Sequence, residues 1–407
     1  MNYYEALQKL SSYQQEHLLQ FYGDLSLNER KELLTQIEKL DMGELERIFN
    51  RRYKLEINNL EPLNCISCSS DPQRALFARI GEAALKDGKM GVLILSGGQG
   101  SRLGYNHAKG MYDIGITRSI SIFEIHIQRL VRFWREKNIK LHCFIMTSVQ
   151  NHEEIIGFFE NHNYFGYDKS YVHFFIQGCL LTVSDECKLM LESKGKIRYS
   201  PNGNGLWYKD IISSDCSKIL RESNIEWINV VSVDNVLQNI IDPSFLGAVL
   251  HHAVSCGAKV VRKANAEEKI GTICLNNKRS EVLEYYEIPN DILTSRQHSG
   301  ELLYKYGVIL NYLFNIESMR RIDYDQLPVH IAHKKIPVIS KVGVMEKPER
   351  ENAFKFEFLI TDLISRMDSC LAYEVPREQE FAPIKNKKGN DSVETARELL
   401  QKNGFVL

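Results

Sequence analysis

The stretch GVLILSGGQGSRLGYNHAKGMYD, residues 91–113, is the most informative part of this sequence. Its four apolar residues at 92–95 predict a buried β-strand, because short apolar runs suit a parallel sheet covered on both faces. A glycine-rich loop follows, and then Arg102 and Lys109. Glycines let backbone N–H groups approach an anion closely, and the two side chains add a forked and a mobile positive charge. The pattern predicts a strand-end loop that binds a polyanion.

The loop has glycine at positions 97, 98, 100 and 104. It is not a Walker A loop, because no Gly-Lys-Ser/Thr follows the glycines. It is not the dinucleotide fingerprint either, since its spacing is GxGxxxG and no acidic residue for a ribose is evident downstream. A simple tight turn is an alternative explanation of the glycines alone, but the two cations favour an anion site.

Strand-like and helix-like segments alternate after this loop. This alternation is typical of a mostly parallel sheet covered by helices, and we predict a doubly wound, Rossmann-like α/β fold with a mixed central sheet. Asn151 is predicted to be a helix N-cap. The predicted strands are 91–96, 141–148, 172–177 and 228–234, and the predicted helices between them are 121–137 and 151–162.

A chain of 407 residues with 43% hydrophobic and 25% charged residues is expected to form a globular protein of two or three domains. Helical periodicity marks an N-terminal module at 1–70, the alternating pattern covers 71–325, and a C-terminal region follows at 326–407. Shorter strands within 258–314 are expected to form an insertion in the mixed sheet.

The formal net charge of -1 leaves no general basic surface for nucleic acid. No apolar run approaches the ~20 residues of a membrane span, and Glu5 and Lys9 lie where a secretory signal would be apolar. We therefore expect a cytoplasmic protein with no nucleic-acid or membrane partner. The nine cysteines show no framework spacing, and the one close pair, Cys65 and Cys68, lacks the second pair or the histidine that a metal site would need, so the cysteines are expected to be reduced. The twelve histidines show no ligand spacing with a third partner, and most are expected to lie at the surface.

A second candidate group is Asp234, at the end of the apolar run INVVSVD. Open α/β sheets bind ligands beyond the carboxyl ends of their strands. A carboxylate facing polyphosphate needs a divalent cation between them, and Mg²⁺ prefers one or two carboxylates plus substrate oxygens. The alternative is that Asp234 is only a helix N-cap or a turn residue.

Several longer motifs occur in one order along the chain: LSGGQGSRLG, KGMYDIG, YFGYDKSYVHFFIQG, SPNGNG, VDN and YEVPREQEFAPIKN. From about residue 15 to 403 the chain resembles the eukaryotic UDP-N-acetylhexosamine pyrophosphorylases, within the wider UDP-sugar pyrophosphorylase group. The UDP-glucose branch lacks Gln-Gly-Ser/Thr-Arg in the first loop. The resemblance implies a uridylyltransferase that makes UDP-N-acetylglucosamine and pyrophosphate from UTP and N-acetylglucosamine 1-phosphate, using Mg²⁺ or Mn²⁺. It also implies that region 71–325 is catalytic and that 326–407 completes the active site.

The resemblance also implies roles for individual residues. The catalytic residues would be Arg102, Lys109, Lys355 and Lys385, of which the first two hold the triphosphate and the last two meet the sugar phosphate and α-phosphate. The nucleotide would be bound by Gly97, Gly98, Gln99, Gly100, Gln177, Gly203, Asn204 and Gly205. Gly271 and Glu284 would bind the sugar, and Asp234 would hold the metal.

The chain departs from the family pattern at several positions. Ala108 replaces a proline before the loop lysine, and Asn202 and Leu206 replace an aspartate and a glycine near the uracil site. Val308 replaces an asparagine that touches the sugar, and the apolar run 308–314 is expected to be a strand, which would place Val308 and Asn311 on opposite faces. The sequence ends at GFVL, without the C-terminal extension that is common in animal and fungal members of the family. These departures keep two alternatives open: a UDP-glucose or broad UDP-sugar pyrophosphorylase, and a non-catalytic homologue that binds UTP or a UDP-sugar. The sequence leaves the oligomeric state and the role of the N-terminal helices open.

Overall fold

The protein is described by a computed structural model that covers residues 1–50, 52 and 56–407. Its α-helices are α1 (Tyr3–Ser11), α2 (Leu27–Lys39), α3 (Gly43–Asn50), α4 (Arg74–Lys86), α5 (Ile122–Lys137), α6 (His152–Asn161), α7 (Trp207–Ile212), α8 (Cys216–Glu222), α9 (Pro243–His251), α10 (Asn290–Leu293), α11 (Ile316–Arg321), α12 (Ile360–Arg366), α13 (Arg377–Glu380) and α14 (Val393–Lys402). Its strands are β1 (Leu60–Pro62), β2 (Cys65–Ser67), β3 (Met90–Leu95), β4 (Cys143–Thr147), β5 (Val172–Ile176), β6 (Cys179–Leu181), β7 (Val183–Ser184), β8 (Leu191–Ser193), β9 (Lys196–Ile197), β10 (Tyr199–Pro201), β11 (Trp227–Ser232), β12 (Cys256–Arg262), β13 (Thr272–Asn276), β14 (Arg279–Leu283), β15 (Tyr306–Asn315), β16 (His330–Lys334), β17 (Val338–Ile339), β18 (Met345–Glu346), β19 (Ala353–Glu357) and β20 (Cys370–Glu374). None of the described helices combines the length and apolarity that a membrane span requires.

Contacts between residues divide the chain into two compact units, each built from separated segments. The smaller unit contains residues 1–54, 178–206 and 324–360, and the larger contains 55–177, 207–323 and 361–407. The linear division at 70/71 and 325/326 stays a prediction about the chain.

The larger unit is built on an eleven-stranded sheet. Its main strand order is β2-β20-β12-β15-β11-β3-β4-β5, with β1, β13 and β14 joined beside β15. Strands β11, β3, β4 and β5 are parallel neighbours, whereas β15 runs antiparallel to both β11 and β12. Since β12 is parallel to β20, every main strand except β15 points the same way. The predicted mixed α/β fold is confirmed.

Helices of this unit pack tightly because glycine allows close approach. A Cβ at Gly81 in α4 would collide with the carbonyl group of Pro243 in α9, and one at Gly247 would collide with the carbonyl of Phe77. Helix α5 begins at its N-cap Ser121, which accepts from the Glu124 N–H, and its apolar face is buried in the core. The predicted strands and helices from 91 to 234 are confirmed within a few residues, as β3, β4, β5, β11, α5 and α6.

The segment 258–314 is not an insertion throughout, because β12 and β15 lie in the middle of the main sheet. The register between them slips: Ala258 pairs with Tyr312, but Val260 pairs with Val308. Between these two pairs β15 contains two more residues than β12. The extra residues are accommodated at Leu310, whose φ of 52° lies in the left-handed region, which is energetically unfavourable for leucine. Only the hairpin β13–β14 matches the expected short strands.

The smaller unit combines N-terminal helices with short antiparallel sheets. Helices α1 and α2 both begin with capping boxes, at Asn2 and Ser26. Helix α1 ends at Ser11, and the following Gln14 has a left-handed φ of 55°. Strands β16, β19 and β7 form a three-stranded antiparallel sheet, and β6 pairs with β10. The predicted helix-rich N-terminal region is confirmed.

Candidate active site

Four parallel strands of the larger unit end side by side. β3, β4, β5 and β11 stop at Leu95, Thr147, Ile176 and Ser232, and their registers place these ends at one edge of the sheet. The glycine loop, Ser148, Gln177 and Asp234 follow these strands directly. The fold thus brings together candidate residues that are up to 137 positions apart (234 minus 97) in the sequence.

Each glycine of the loop has its own surroundings. A Cβ at Gly97 would lie 2.5 Å from Gln177 Oε1, which is the movable end of that side chain. A Cβ at Gly100 would lie 2.9–3.0 Å from Tyr105, including its backbone carbonyl, so Gly100 excludes a larger side chain. A Cβ at Gly98 would have no heavy atom within 4 Å. The described protein atoms therefore do not require glycine at 98, and an approaching ligand supplies a reason for it.

The loop presents unused donors. The Gly100 N–H donates to His107 O and the Lys109 N–H donates to Gly98 O, which holds the loop against the segment that carries Lys109. The N–H groups of Gly97, Gly98 and Gln99 have no acceptor among the described residues, and Gly98 and Gln99 are exposed. Successive free N–H groups in a turn form a concave anion-binding site.

Asn151 is a residue whose role the sequence analysis misjudged. It stands at the N-cap position of α6, but its side chain makes no capping hydrogen bond to that helix. Its Oδ1 accepts from the Ser148 N–H, and its Nδ2 donates to Ser96 O and Gly97 O. The side chain is fully buried and ties the end of β4 to the start of the glycine loop. Its place just beyond a buried strand was the available sequence signal.

Lys109 and Asp234 form an ion pair at this edge. Lys109 Nζ lies 2.9 Å from Asp234 Oδ2, and Ser232 Oγ donates to Oδ1 at 2.5 Å. Burial raises the pKa of Asp234, but the charge of Lys109, the bonds from Ser232 and Lys109 and the charge of Lys385 together hold the pKa below its usual value. Asp234 is thus ionised at neutral pH, and it is not a helix cap, because its carboxylate binds these side chains.

The backbone around Asp234 is fixed from two sides. His126 of α5, fully buried, bonds through Nε2 to Val233 O at 2.9 Å, and burial lowers its pKa to about 3. The neutral ring therefore donates to that carbonyl. On the other side, the buried Asn235 side chain donates to Glu380 O and accepts from the Ala382 N–H. His126 is an exception to the expectation that most histidines lie at the surface, and its burial is tolerated because the ring is neutral and its Nε2–H has an acceptor.

The same contacts place Lys385 near Asp234. The Ile384 N–H donates to the backbone carbonyl of Asp234 at 2.9 Å. This bond places the next residue, Lys385, close to Asp234. Lys385 Nζ lies 3.1 Å from Asp391 Oδ2, and the lysine side chain is 38% exposed. The larger unit contains four of the predicted cationic or metal-binding residues. Three of them form one electrostatic cluster: Lys109, Asp234 and Lys385. Arg102, the fourth, is exposed and has no hydrogen bond or ion pair with a described residue.

The donor set fits a magnesium ion that substrate oxygens would share. No group of three His, Cys, Asp or Glu side chains with metal-site geometry occurs among the described residues. Asp234 offers one partly exposed carboxylate, and Mg²⁺ commonly binds through one or two carboxylates, water and substrate phosphates. A site completed by substrate is consistent with this arrangement.

The predicted sugar-binding residues also come together. A Cβ at Gly271 would lie 3.3 Å from Val308 Cγ2 and 3.6 Å from Glu284 Oε1. The Val308 N–H donates to Gly271 O. Asn311 does not join them, since its Nδ2 donates to Asn239 O. The segment around Val308 is a strand, as predicted, and Asn311 makes its contact elsewhere.

The remaining predicted residues belong to the smaller unit. Gly203, with φ of 85°, packs against Phe358 so closely that a side chain would collide with its carbonyl, and the Gly205 N–H donates to Phe358 O. Asn204 Oδ1 accepts from the Ile360 N–H. This packing explains both glycines through the protein itself, and their predicted contact with the nucleotide stays a prediction.

Lys355 of β19 is half-buried in the same unit. Burial lowers its pKa, the charge of Glu357 opposes this, and the nearby positive charges of Arg198 and Lys334 lower it further. Because burial is the main cause of the lowered pKa, a bound anion would stabilise the charged form of Lys355.

Comparison with known proteins assigns the chain to a protein family. Residues 47–401 match the model of the family described as UTP–glucose-1-phosphate uridylyltransferase.

The chain belongs to this family.

Among named relatives, it is 32% identical to UDP-N-acetylglucosamine diphosphorylase 2 of Arabidopsis thaliana, over 97% of this chain and 82% of the relative. It is also 32% identical to UDP-N-acetylglucosamine pyrophosphorylase of Saccharomyces cerevisiae, over 94% of this chain and 86% of the relative.

A solved structure supports the fold and the branch of the family. The crystal structure of the uridine diphosphate N-acetylglucosamine pyrophosphorylase from Trypanosoma brucei in complex with inhibitor matches with a TM-score of 0.83 and 25% identity. The match covers 97% of this chain and 84% of the other. This family membership agrees with the arrangement of an exposed loop with free N–H groups at the same sheet edge as the Lys109–Asp234 pair.

Gly98 provides a test of the loop. Gly98→Ala is expected to leave Tm unchanged, since the new Cβ meets no protein atom, and to lower kcat/KM by about 10-fold or more because one phosphate-binding N–H becomes obstructed. Gly157→Ala is the matched control, because its Cβ also has no neighbour within 4 Å but lies in α6. Steady-state kinetics and thermal unfolding measure both. Equal activity of the two variants would remove Gly98 from the anion site.

Proposed function

We propose that this protein is a uridylyltransferase that makes UDP-N-acetylglucosamine and pyrophosphate from UTP and N-acetylglucosamine 1-phosphate. The observation that carries the proposal is the free N–H groups at Gly97–Gln99 at the same sheet edge as the Lys109–Asp234 pair. The names of the most similar relatives supply the amino sugar.

The reaction requires no covalent intermediate. A phosphate oxygen of the sugar 1-phosphate attacks the α-phosphorus of UTP in line, a P–O bond forms, and pyrophosphate leaves with the electrons of the broken bond. The protein therefore acts by positioning two anions and by stabilising charge in the transition state. The loop N–H groups, Arg102 and Lys109 would bind the triphosphate and the leaving pyrophosphate.

Asp234 would hold the metal ion. When bound, Mg²⁺ neutralises phosphate charge and so favours attack at phosphorus. Lys109 already contacts Asp234, so the lysine is positioned beside any phosphate that approaches the carboxylate. Lys385 would reduce the repulsion between the sugar phosphate and UTP, and the same role for Lys355, in the smaller unit, stays a prediction from the family resemblance. Mn²⁺ is expected to substitute for Mg²⁺, since both accept oxygen ligands.

The base and the sugar would be bound by neutral groups. Gln177, placed against Gly97, would bind the uracil edge. The same role for Gly203–Gly205, in the smaller unit, stays a prediction from the family resemblance. Gly271 and Glu284 would bind the sugar, whose hydroxyl groups suit a carboxylate acceptor.

The function is tested by pyrophosphate release. Purified protein is incubated with UTP, Mg²⁺ and one sugar 1-phosphate at a time: N-acetylglucosamine, N-acetylgalactosamine or glucose. Highest kcat/KM with N-acetylglucosamine 1-phosphate is expected. Preference for glucose 1-phosphate would replace the proposal by the UDP-glucose activity, and UTP binding without any release would replace it by a non-catalytic nucleotide-binding role.

Val308 is the observation that favours broader sugar use. An asparagine amide can hydrogen-bond a sugar hydroxyl or acetamido group, whereas the Val308 side chain, which is buried against Gly271, cannot. A polar ligand atom left without a partner there costs about 1–3 kcal/mol. In the structure, Asn311 Nδ2 donates to Asn239 O, and Asn311 Oδ1 is buried with no hydrogen-bond partner among the described residues, so this amide makes no contact with the predicted sugar-binding residues.

Val308→Asn is therefore expected to raise kcat/KM for the N-acetylated sugars by about 10-fold while leaving that for glucose 1-phosphate unchanged. The measurement is kcat/KM for the three sugar phosphates in both proteins. Val342→Asn is the control, because it makes the same change at an exposed valine outside the sheet of the larger unit and should alter neither activity. An unchanged ratio between sugars would show that position 308 does not select the sugar.

A further inference from the structure

Two lysines of the larger unit, four positions apart in the sequence, are each more than nine-tenths buried, but their surroundings differ. Lys259, in the middle of β12, is fully buried, and its Nζ lies 2.8 Å from both Asp242 Oδ2 and Glu380 Oε1. Lys263, just past the end of β12, is 8% exposed, and its Nζ donates only to Thr272 Oγ1 at 3.1 Å. No described carboxylate pairs with Lys263 within ion-pair distance. The two carboxylates thus explain why the charged Lys259 can be buried, whereas no described group of the protein explains the burial of Lys263.

A buried ammonium group without a counter-charge is costly. The loss of hydration is not repaid by a neutral hydroxyl, so buried charges are normally paired or bind a ligand. Burial lowers the pKa of Lys263, and only the more distant charge of Glu268 opposes that effect. Glu268 is itself bound to Arg377 and to the Ala264 N–H. The energetic cost of Lys263 therefore points to an anion that is supplied from outside the protein.

The position of Lys263 identifies where that anion would lie. β12 runs in the same direction as β3 and β11, so its carboxyl end lies at the same edge of the sheet as the glycine loop and Asp234. Thr272, the partner of Lys263, directly follows Gly271, and it pairs with Gly307, which precedes Val308. Lys263 therefore adjoins the predicted sugar-binding residues at the ligand-binding edge.

We infer that Lys263 is a further substrate-binding residue, whose ammonium group binds the phosphate of the sugar 1-phosphate. The inference rests on the proposed function and adds to it a cation that the sequence analysis did not select. Thr272 Oγ1 would orient the ammonium group, and arrival of the phosphate would give it the counter-charge that it lacks. The nucleotide phosphates are served by the glycine loop and Lys109, so the effect of Lys263 should fall on the sugar phosphate.

The test uses the full-length protein with Lys263→Met, which keeps the length of the side chain but removes its charge, and Lys263→Gln, which keeps a hydrogen-bond donor. KM for N-acetylglucosamine 1-phosphate is expected to rise about 10- to 100-fold in both variants, with KM for UTP changed much less. Lys137→Met is the kinetic control, since that exposed lysine pairs only with Glu82 and should leave both KM values unchanged. Recovery of wild-type KM in Lys263→Gln would overturn the inference, because a neutral donor would then suffice.

Thermal unfolding without ligand separates binding from a structural role. Lys263→Met is expected to have the Tm of wild type or a higher one, because it removes an unpaired buried charge, whereas Lys259→Met should have a lower Tm because it leaves Asp242 and Glu380 unpaired. A lower Tm or failure to fold in both Lys263 variants would overturn the inference.

The Tm increase produced by UDP-N-acetylglucosamine should also be smaller in Lys263→Met than in wild type. An equal increase would overturn the Lys263 assignment even if the wild-type protein showed no turnover. Absence of turnover in wild type with every sugar phosphate would instead refute the proposed function.

Discussion

Arg102→Ala is expected to lower kcat/KM by about 10²–10³, the usual effect of removing one donor that stabilises transition-state charge. The guanidinium group is exposed and binds no described residue, so its removal costs the folded protein little. It lies three residues after Gln99, the last of the loop residues with a free N–H, and a guanidinium can bind two phosphate oxygens at once. Tm should therefore remain that of wild type while activity falls.

Arg132→Ala is the matched control for Arg102. Arg132 is also exposed and has no hydrogen bond or ion pair with a described residue, but it lies on α5, in a surface cleft beside Leu237 and Phe405. Steady-state kinetics of both variants with UTP and N-acetylglucosamine 1-phosphate provide the measurement. Near-normal turnover in a folded Arg102→Ala protein would remove Arg102 from the mechanism.

Asp234→Asn is expected to lower kcat by about 10³-fold and to raise the Mg²⁺ concentration needed for half-maximal activity. The amide keeps the shape of the side chain but is a poor ligand for Mg²⁺ and no longer attracts Lys109. The wild-type carboxylate is ionised because its pKa is held down, chiefly by Lys109 once burial is overcome, so activity should not depend on the ionisation of Asp234 near neutral pH. A titration of activity with Mg²⁺ and with Mn²⁺ measures the effect.

Asp168→Asn tests whether the loss of an Asp–Lys ion pair elsewhere in the protein also lowers kcat and weakens the response to Mg²⁺. Asp168 Oδ2 lies 2.6 Å from Lys140 Nζ, and both side chains are about one-third exposed. This pair precedes β4 and β5 and is therefore at the opposite edge of the sheet from Asp234. The control should keep wild-type kinetics and Mg²⁺ dependence. Full activity of the wild-type protein in excess chelator would show that Asp234 does not act through a metal ion.

Local features were predictable from the sequence because they depend on neighbouring residues. The strand before the glycine loop, the helix that begins after Ser121 and the strand around Val308 all follow from apolar patterning and capping residues. The prediction that strand-end groups would gather was also sound, because parallel strands share one carboxyl edge. Lys109, Asp234 and Lys385 lie there together.

Other features depend on contacts between distant residues, and only the tertiary structure decided them. Asn151 has the sequence signal of a helix cap, but in the fold its amide meets the loop of another strand. Leu310 takes a left-handed conformation because β12 and β15 slip in register, which no local propensity records. Lys259 and Lys263 differ by four positions and not at all in residue type. One is paired and the other is not because the carboxylates of Asp242 and Glu380 reach only Lys259 in the folded chain.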